Sequence, residues 1–201
     1  MPTDLPALFD LLKGHLLHNK QLAPLSRTNL PLADPRWVAA VLASLKTHGF
    51  TFRFFTPSEE IALPGVDGYC HWFKRDATGT QVPDRGLALS RRANSLDAFA
   101  VAAHELGHVY TLTPEAVSIN SNTPNPTATP FYARGEVLAE ATAFLCAATV
   151  APDHLPLLVR RSVTYLHNYP VPPEVWAERD LVLDAAFTIL TDAAERLETI
   201  R

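Results

Sequence analysis

The sequence predicts an α+β domain in which a small sheet is set between helices, and three observations predict it. Leu, Phe, Val and Ala recur at helical spacing near both ends of the chain, and short runs in the middle alternate or run apolar with aromatic and β-branched residues between Pro and Gly. Strands are followed by helices rather than alternating regularly with them. The 201 residues, 47% hydrophobic and 19% charged, suffice for one well-buried domain over 1–201 and are far from the composition of a disordered chain.

Residues 4–19 and 34–48 read as two opening helices, the second with Asp34 as N-cap and Pro35 at its first position. The period then changes: TFRFFT at 51–56, GYCHWFK at 68–74 and GLALS at 86–90 read as three strands, with 60–63 a weaker fourth. A helix follows, with Asn94 or Ser95 as N-cap and Leu96, Ala98, Phe99, Val101, Ala102, Leu106 and Val109 making it mostly apolar. The stretch from about 113 to 130, NTPNPTATP included, is too rich in proline for a helix. It reads as a connector, with a substrate-side lid as the other reading. Helices near 132–150, 153–168 and 173–199 close the chain, the last with Pro172-Pro173 at its start and Glu174 in its first turn. There is no internal repeat.

The helix after the last strand contains Ala103-His104-Glu105-Leu106-Gly107-His108. Helix positions four apart share a face, so His104 and His108 can aim two imidazoles at one point as metal ligands. Glu105 lies about 100° round the helix, near the metal but not bound to it, where a carboxylate can take a proton from an activated water. Downstream, the alanine-rich run Phe131–Cys146 carries Glu136 and Glu140, again four apart on one face. Two like charges on an apolar helix are unfavourable unless something positive sits beside them, and zinc with its histidines would supply that partner.

HELGH followed on the next helix by Glu-x-x-Ala-Glu resembles the gluzincins. The resemblance implies a zincin-like fold, one Zn2+ per chain and peptide-bond hydrolysis in a zinc metallopeptidase. It implies His104, His108 and Glu136 as ligands, Glu105 as general base and then acid, and Glu140 orienting His104 through its distal ring N–H. The stretch YARGEVLAEATAFLCA is similar to the Tyr-Ala-x-Glu-Glu-Leu-x-Ala-Glu run of ArdC-type antirestriction metallopeptidases. It is also similar to the Glu-x-x-Ala-Asn-x-Phe-Ala run of ImmA/IrrE-type regulatory peptidases. These likenesses cover roughly residues 85–152 and imply a peptide or protein substrate in a bacterial or phage regulatory or defence setting. Two positions depart from the patterns: Gly135-Glu136 stands where ArdC-type runs have adjacent glutamates, and Glu140 where many gluzincins have Asp or Asn. Glu140 therefore stays open as the alternative third ligand. The single-stranded-DNA domain that precedes the peptidase domain in ArdC-type proteins is not expected here.

Imidazole and carboxylate ligands suit zinc best, although manganese, iron and cobalt are also accepted. For a second oxyanion donor the candidates are Tyr110, Tyr132, His154 and His167. GLALS is either an edge strand along which an extended peptide adds or an ordinary sheet strand. Two readings compete with the peptidase: a non-proteolytic zinc-binding interaction or antirestriction protein, which would have no use for Glu105, and a helical interaction protein with a fortuitous motif.

The net charge of −4 and pI near 6.0 exclude a strongly basic surface. The pairs Lys74-Arg75, Arg91-Arg92 and Arg160-Arg161 are isolated and read as solvated surface, so nucleic-acid binding is not indicated. The N-terminus lacks a basic region ahead of a long apolar core, and no stretch approaches the roughly eighteen apolar residues of a membrane span. A soluble, cytoplasmic protein is expected. Cys70 and Cys146 are too few for a disulfide framework, have no CxxC spacing, and read as buried small hydrophobes, with Cys146 too far along its helix to reach the metal.

Overall fold

In the computed structural model, which describes residues 4–18, 34–112, 130–169 and 173–199, helices α1 (Leu5–His18) and α2 (Pro35–Thr47) open the chain. Asp34 caps α2 by accepting the Arg36 N–H at 3.0 Å, and Pro35 occupies the first turn. Strands β1 (Thr51–Phe54), β2 (Gly68–Arg75) and β3 (Gln81–Leu89) form a mixed sheet in the order β1-β3-β2. β3 runs parallel to β1 and antiparallel to β2. Asp76 turns the β2–β3 hairpin by accepting the N–H groups of Thr78 and Thr80, and Gly79 takes the left-handed φ of 82° that the turn requires.

One strand expectation changes, and of the two readings of GLALS the ordinary sheet strand holds. Residues 60–63 are not a strand, because helix α3 (Pro57–Ala62) covers most of them. Thr56 and Glu59 form a reciprocal capping box with Pro57 in the first turn, and that local start signal outweighs a weak apolar run. Nor is GLALS an edge strand: Gly86–Leu89 of β3 pairs with β1 on one side and β2 on the other, and Leu87, Ala88 and Leu89 are buried. A strand covered on both faces reads as a continuous apolar run, and its main chain has no free side for a peptide.

Helix α4 (Ser95–Thr111) starts at Asn94, whose side chain accepts the N–H groups of Leu96 and Asp97. Helix α5 (Pro130–Val150) follows. Each of the two remaining expected helices begins in a 3₁₀ turn. Pro152–His154 leads into α6 (Leu155–Leu166), and Pro173–Glu178 into α7 (Arg179–Thr199). The expected connector or lid lies, up to residue 129, outside the described residues, as does Pro172.

α5 is buried nearly all round through Val137, Leu138, Ala141, Phe144, Leu145 and Cys146, and α1, α4, α6 and α7 pack against it. Its closest companion is α4. A Cβ added to Gly107 would lie 2.8 Å from the Cα of Ala139 and 2.9 Å from its carbonyl oxygen, so the two helices touch backbone to backbone. No single helix among the described residues is long and apolar enough to cross a membrane; α5 and α6 pass such a test only as a pair bent by 118°.

Candidate metal centre

The close approach of α4 and α5 brings the histidine motif onto the two glutamates. His104, His108 and Glu136 each offer a ligand atom, and these atoms lie within 4.8 Å of one another. Nε2 of His104 stands 3.3 Å from one Glu136 oxygen and Nε2 of His108 3.6 Å from the other. All three residues are buried. The other face of His104 is occupied, because its Nδ1 lies 3.0 Å from Glu140 Oε2.

Glu140 is itself held from α6. Ser162 donates its hydroxyl to Glu140 Oε1 at 2.6 Å, and Arg161 donates from one amino group at 3.2 Å. The buried Glu140 thus faces Nδ1 of His104, while Glu136 faces the Nε2 atoms of both histidines. Two imidazoles and one carboxylate, converging with room for a further ligand, are the donor set of a hydrolytic zinc site. An outer carboxylate on the far ring nitrogen is its usual support.

The electrostatics of the buried group depend on one proton. Burial opposes protonation of His104, yet its hydrogen bonds to Glu136 and Glu140 carry its pKa from 6.5 up to about 10. Burial also acts on His108 and, with the charge on His104, pushes its pKa down to about 4. For Glu136, burial opposes ionisation, but the hydrogen bond to His104, the neighbouring imidazole charges and the Tyr165 hydroxyl hold the carboxyl down to about 2. At neutral pH the metal-free site therefore carries its proton on His104, with His108 neutral. In the metal-free fold this raised pKa is stabilising, fully so below pH 6.5, and the contribution is lost as pH rises through about 10.

A metal at Nε2 must displace that proton. Zinc binding at pH 7 is accordingly expected to release about one proton, and apparent affinity to rise about tenfold per pH unit between about 4 and about 10. Titration calorimetry in buffers of different ionisation enthalpy measures the release; an enthalpy independent of buffer would contradict it.

Glu105 lies in the same cavity of about 670 Å³ and is 7% exposed. Burial raises its pKa, partly offset by the charge of His104 and by hydrogen bonding from Cys70 and Trp72 of β2. Its Oε2 has no partner among the described residues. Cys70 is half-buried, packs against the core as a small hydrophobe and also lines this cavity beside Glu105. Cys146 is buried with its thiol directed at the Ala186 carbonyl, away from the site.

Of the four oxyanion candidates only Tyr132 lines the cavity. Tyr110 instead pairs with His48, the C-cap of α2, at 3.1 Å. His154 and His167 are not among the cavity residues. The phenol that does reach the site is Tyr165 of α6, whose hydroxyl donates to Glu136 Oε2 at 2.5 Å and accepts from Tyr169 at 3.1 Å. Sequence reasoning missed it, although Ser162 and Tyr165 interrupt an otherwise apolar α6 face of Leu158, Val159, Val163 and Leu166. Arg161 is also misplaced by the expectation of a solvated pair, since it lines the cavity with its side chain 19% exposed.

No family model matches the chain, and comparison with curated proteins and with solved structures finds no match either.

Proposed function

We propose that His104, His108 and Glu136 hold one zinc ion and that the chain is a zinc-dependent metallopeptidase with a zincin-like, gluzincin-type site. The convergence of two α4 imidazoles and one α5 carboxylate within 4.8 Å, with a buried Glu105 oxygen beside them that has no partner among the described residues, carries the reading. When bound, zinc supplies Lewis-acid activation of a water and of the scissile carbonyl.

The chain's own groups do the rest. Glu105 takes the proton of the attacking water and delivers it to the leaving amine; burial, which raises its pKa, suits it to both roles. Glu140 holds the His104 ring with Nδ1 as donor, leaving Nε2 as ligand. Tyr165, kept protonated by burial and by the charge of Glu136, would turn its one O–H from Glu136 to the developing oxyanion. The motif likenesses extend the reading to a protein partner in a bacterial or phage regulatory or defence setting, in the cytoplasm.

The test is cleavage of a diverse peptide mixture by zinc-loaded protein, with new termini read by mass spectrometry. Termini that vanish on chelation and return with zinc are expected. Tyr165→Phe should lower kcat about tenfold to a hundredfold with zinc content unchanged. If zinc binds but no new termini form, a zinc-binding interaction protein replaces the peptidase.

A further inference from the structure

Arg161 is the only lysine or arginine among the described residues lining the cavity, whose acidic members are Asp67, Glu105, Glu136 and Glu140. Its guanidinium is only partly engaged, like those of Arg92, Arg179 and Arg196, which also reach a carboxylate through one nitrogen, but Arg161 alone does so from a cavity wall. Arg134 grips Glu178 through Nε and an amino group together, and Arg53 grips Glu59 through both amino groups. Those forks are the geometry of a pairing that is complete in itself.

Arg161 instead gives a single amino group to Glu140 at 3.2 Å, and its remaining N–H groups have no partner among the described residues. Glu140 already accepts from Ser162 at Oε1, the oxygen Arg161 uses, and turns its Oε2 to His104. Arg161 and Tyr165 are one helical turn apart on α6, so the free side of the fork shares a wall with the phenol that reaches Glu136. A half-engaged guanidinium in a cavity, anchored at one end and carrying open donors at the other, is a preorganised carboxylate receptor.

We propose that Arg161 is a specificity-determining residue that binds a carboxylate of the substrate, on an acidic side chain or at the C-terminus, while the scissile amide lies at the metal. The inference rests on the zinc-peptidase reading and gives it a substrate class: anionic peptides, whose carboxylate Arg161 would hold in a cavity otherwise lined by four acidic residues.

Binding to zinc-loaded protein tests this without turnover. Three inhibitors share a succinyl hydroxamate head, which chelates zinc, and differ in the tail: alaninamide, aspartamide with a free side-chain carboxylate, and alanine with a free C-terminal carboxylate. At least one acid is expected to bind about tenfold or more tighter than the neutral amide, and which one does so identifies the source of the carboxylate. Arg161→Met should remove the preference, read as the ratio of acid to alaninamide affinity within each zinc-loaded protein, so that any change passed through Glu140 to the metal, common to all three inhibitors, cancels. Arg161→Lys should retain part of the preference. Equal binding of all three by the wild type, or a preference that persists in Arg161→Met, overturns the proposal while leaving the zinc reading intact. If none of the three hydroxamates binds the zinc-loaded protein, the metal has no open position and the peptidase reading falls, and this inference with it.

Discussion

Glu105→Gln is expected to lower kcat/KM about a hundredfold to ten-thousandfold while zinc content stays at the wild-type level. Glutamine keeps the size of the side chain and its place beside Cys70 and Trp72, but it has no basic oxygen for the water proton. The substitution also removes a buried, poorly solvated carboxylate with an oxygen that no described residue satisfies, so thermal stability should hold or rise. Cleavage kinetics, metal analysis and a melting curve on the same preparation separate the possibilities. Activity near wild type would remove Glu105 from the proton path. Loss of zinc alongside activity would make it a contributor to metal binding instead.

Gly107→Ala is expected to lose both stability and zinc affinity, although alanine is the better helix former. The added methyl would sit 2.8 Å from the Ala139 Cα and 2.9 Å from its carbonyl oxygen, and backbone cannot swing aside as a flexible side chain can. The helices must part, at a cost of about 1–3 kcal/mol, which for a chain of this size lowers Tm by about 2–4 °C per kcal/mol. Glu136 and Glu140 ride on the helix that moves, so the ligand set opens as well. Gly14→Ala is the control: nothing lies within 4 Å of the new methyl, and the gain in helix propensity is about 1 kcal/mol. A Gly107→Ala protein as stable as wild type, with zinc bound as tightly, would contradict the contact between α4 and α5.

The contrast between the two helix pairs explains what was legible in the sequence. His104, Glu105 and His108 are fixed by spacing within one helix, as are Glu136 and Glu140 within the next, and local periodicity suffices to place each group on a face. That the two faces meet follows from a glycine opposite an alanine, a signal present in the sequence but readable only once the helices are paired. Arg161, Ser162 and Tyr165 reach the site because α6 folds back from α5 through a bend of 118°, and no spacing along the chain announces that return. Adjacent arginines ordinarily mean solvated surface, which is why Arg161 was expected outside. The sheet repeats the lesson: Gly86–Leu89 was recognisable as strand from its apolar run, but whether it lies at the edge depends on β1, more than thirty residues earlier by register. At residues 60–63 the Thr56–Glu59 capping box is a helix start present in the sequence itself, and it outweighs the weak apolar run that suggests a strand.

If two α4 histidines and the first α5 glutamate hold zinc, metal content by inductively coupled plasma mass spectrometry will follow those three side chains. About one zinc per chain is predicted for the wild type, lost in His104→Ala and Glu136→Ala, and weakened but not lost in Glu140→Ala, whose carboxylate only orients the His104 ring. Zinc lost in Glu140→Ala but kept in Glu136→Ala would exchange the roles of the two glutamates. A wild-type protein that holds no metal after zinc is added back would contradict the metal centre and the peptidase built on it.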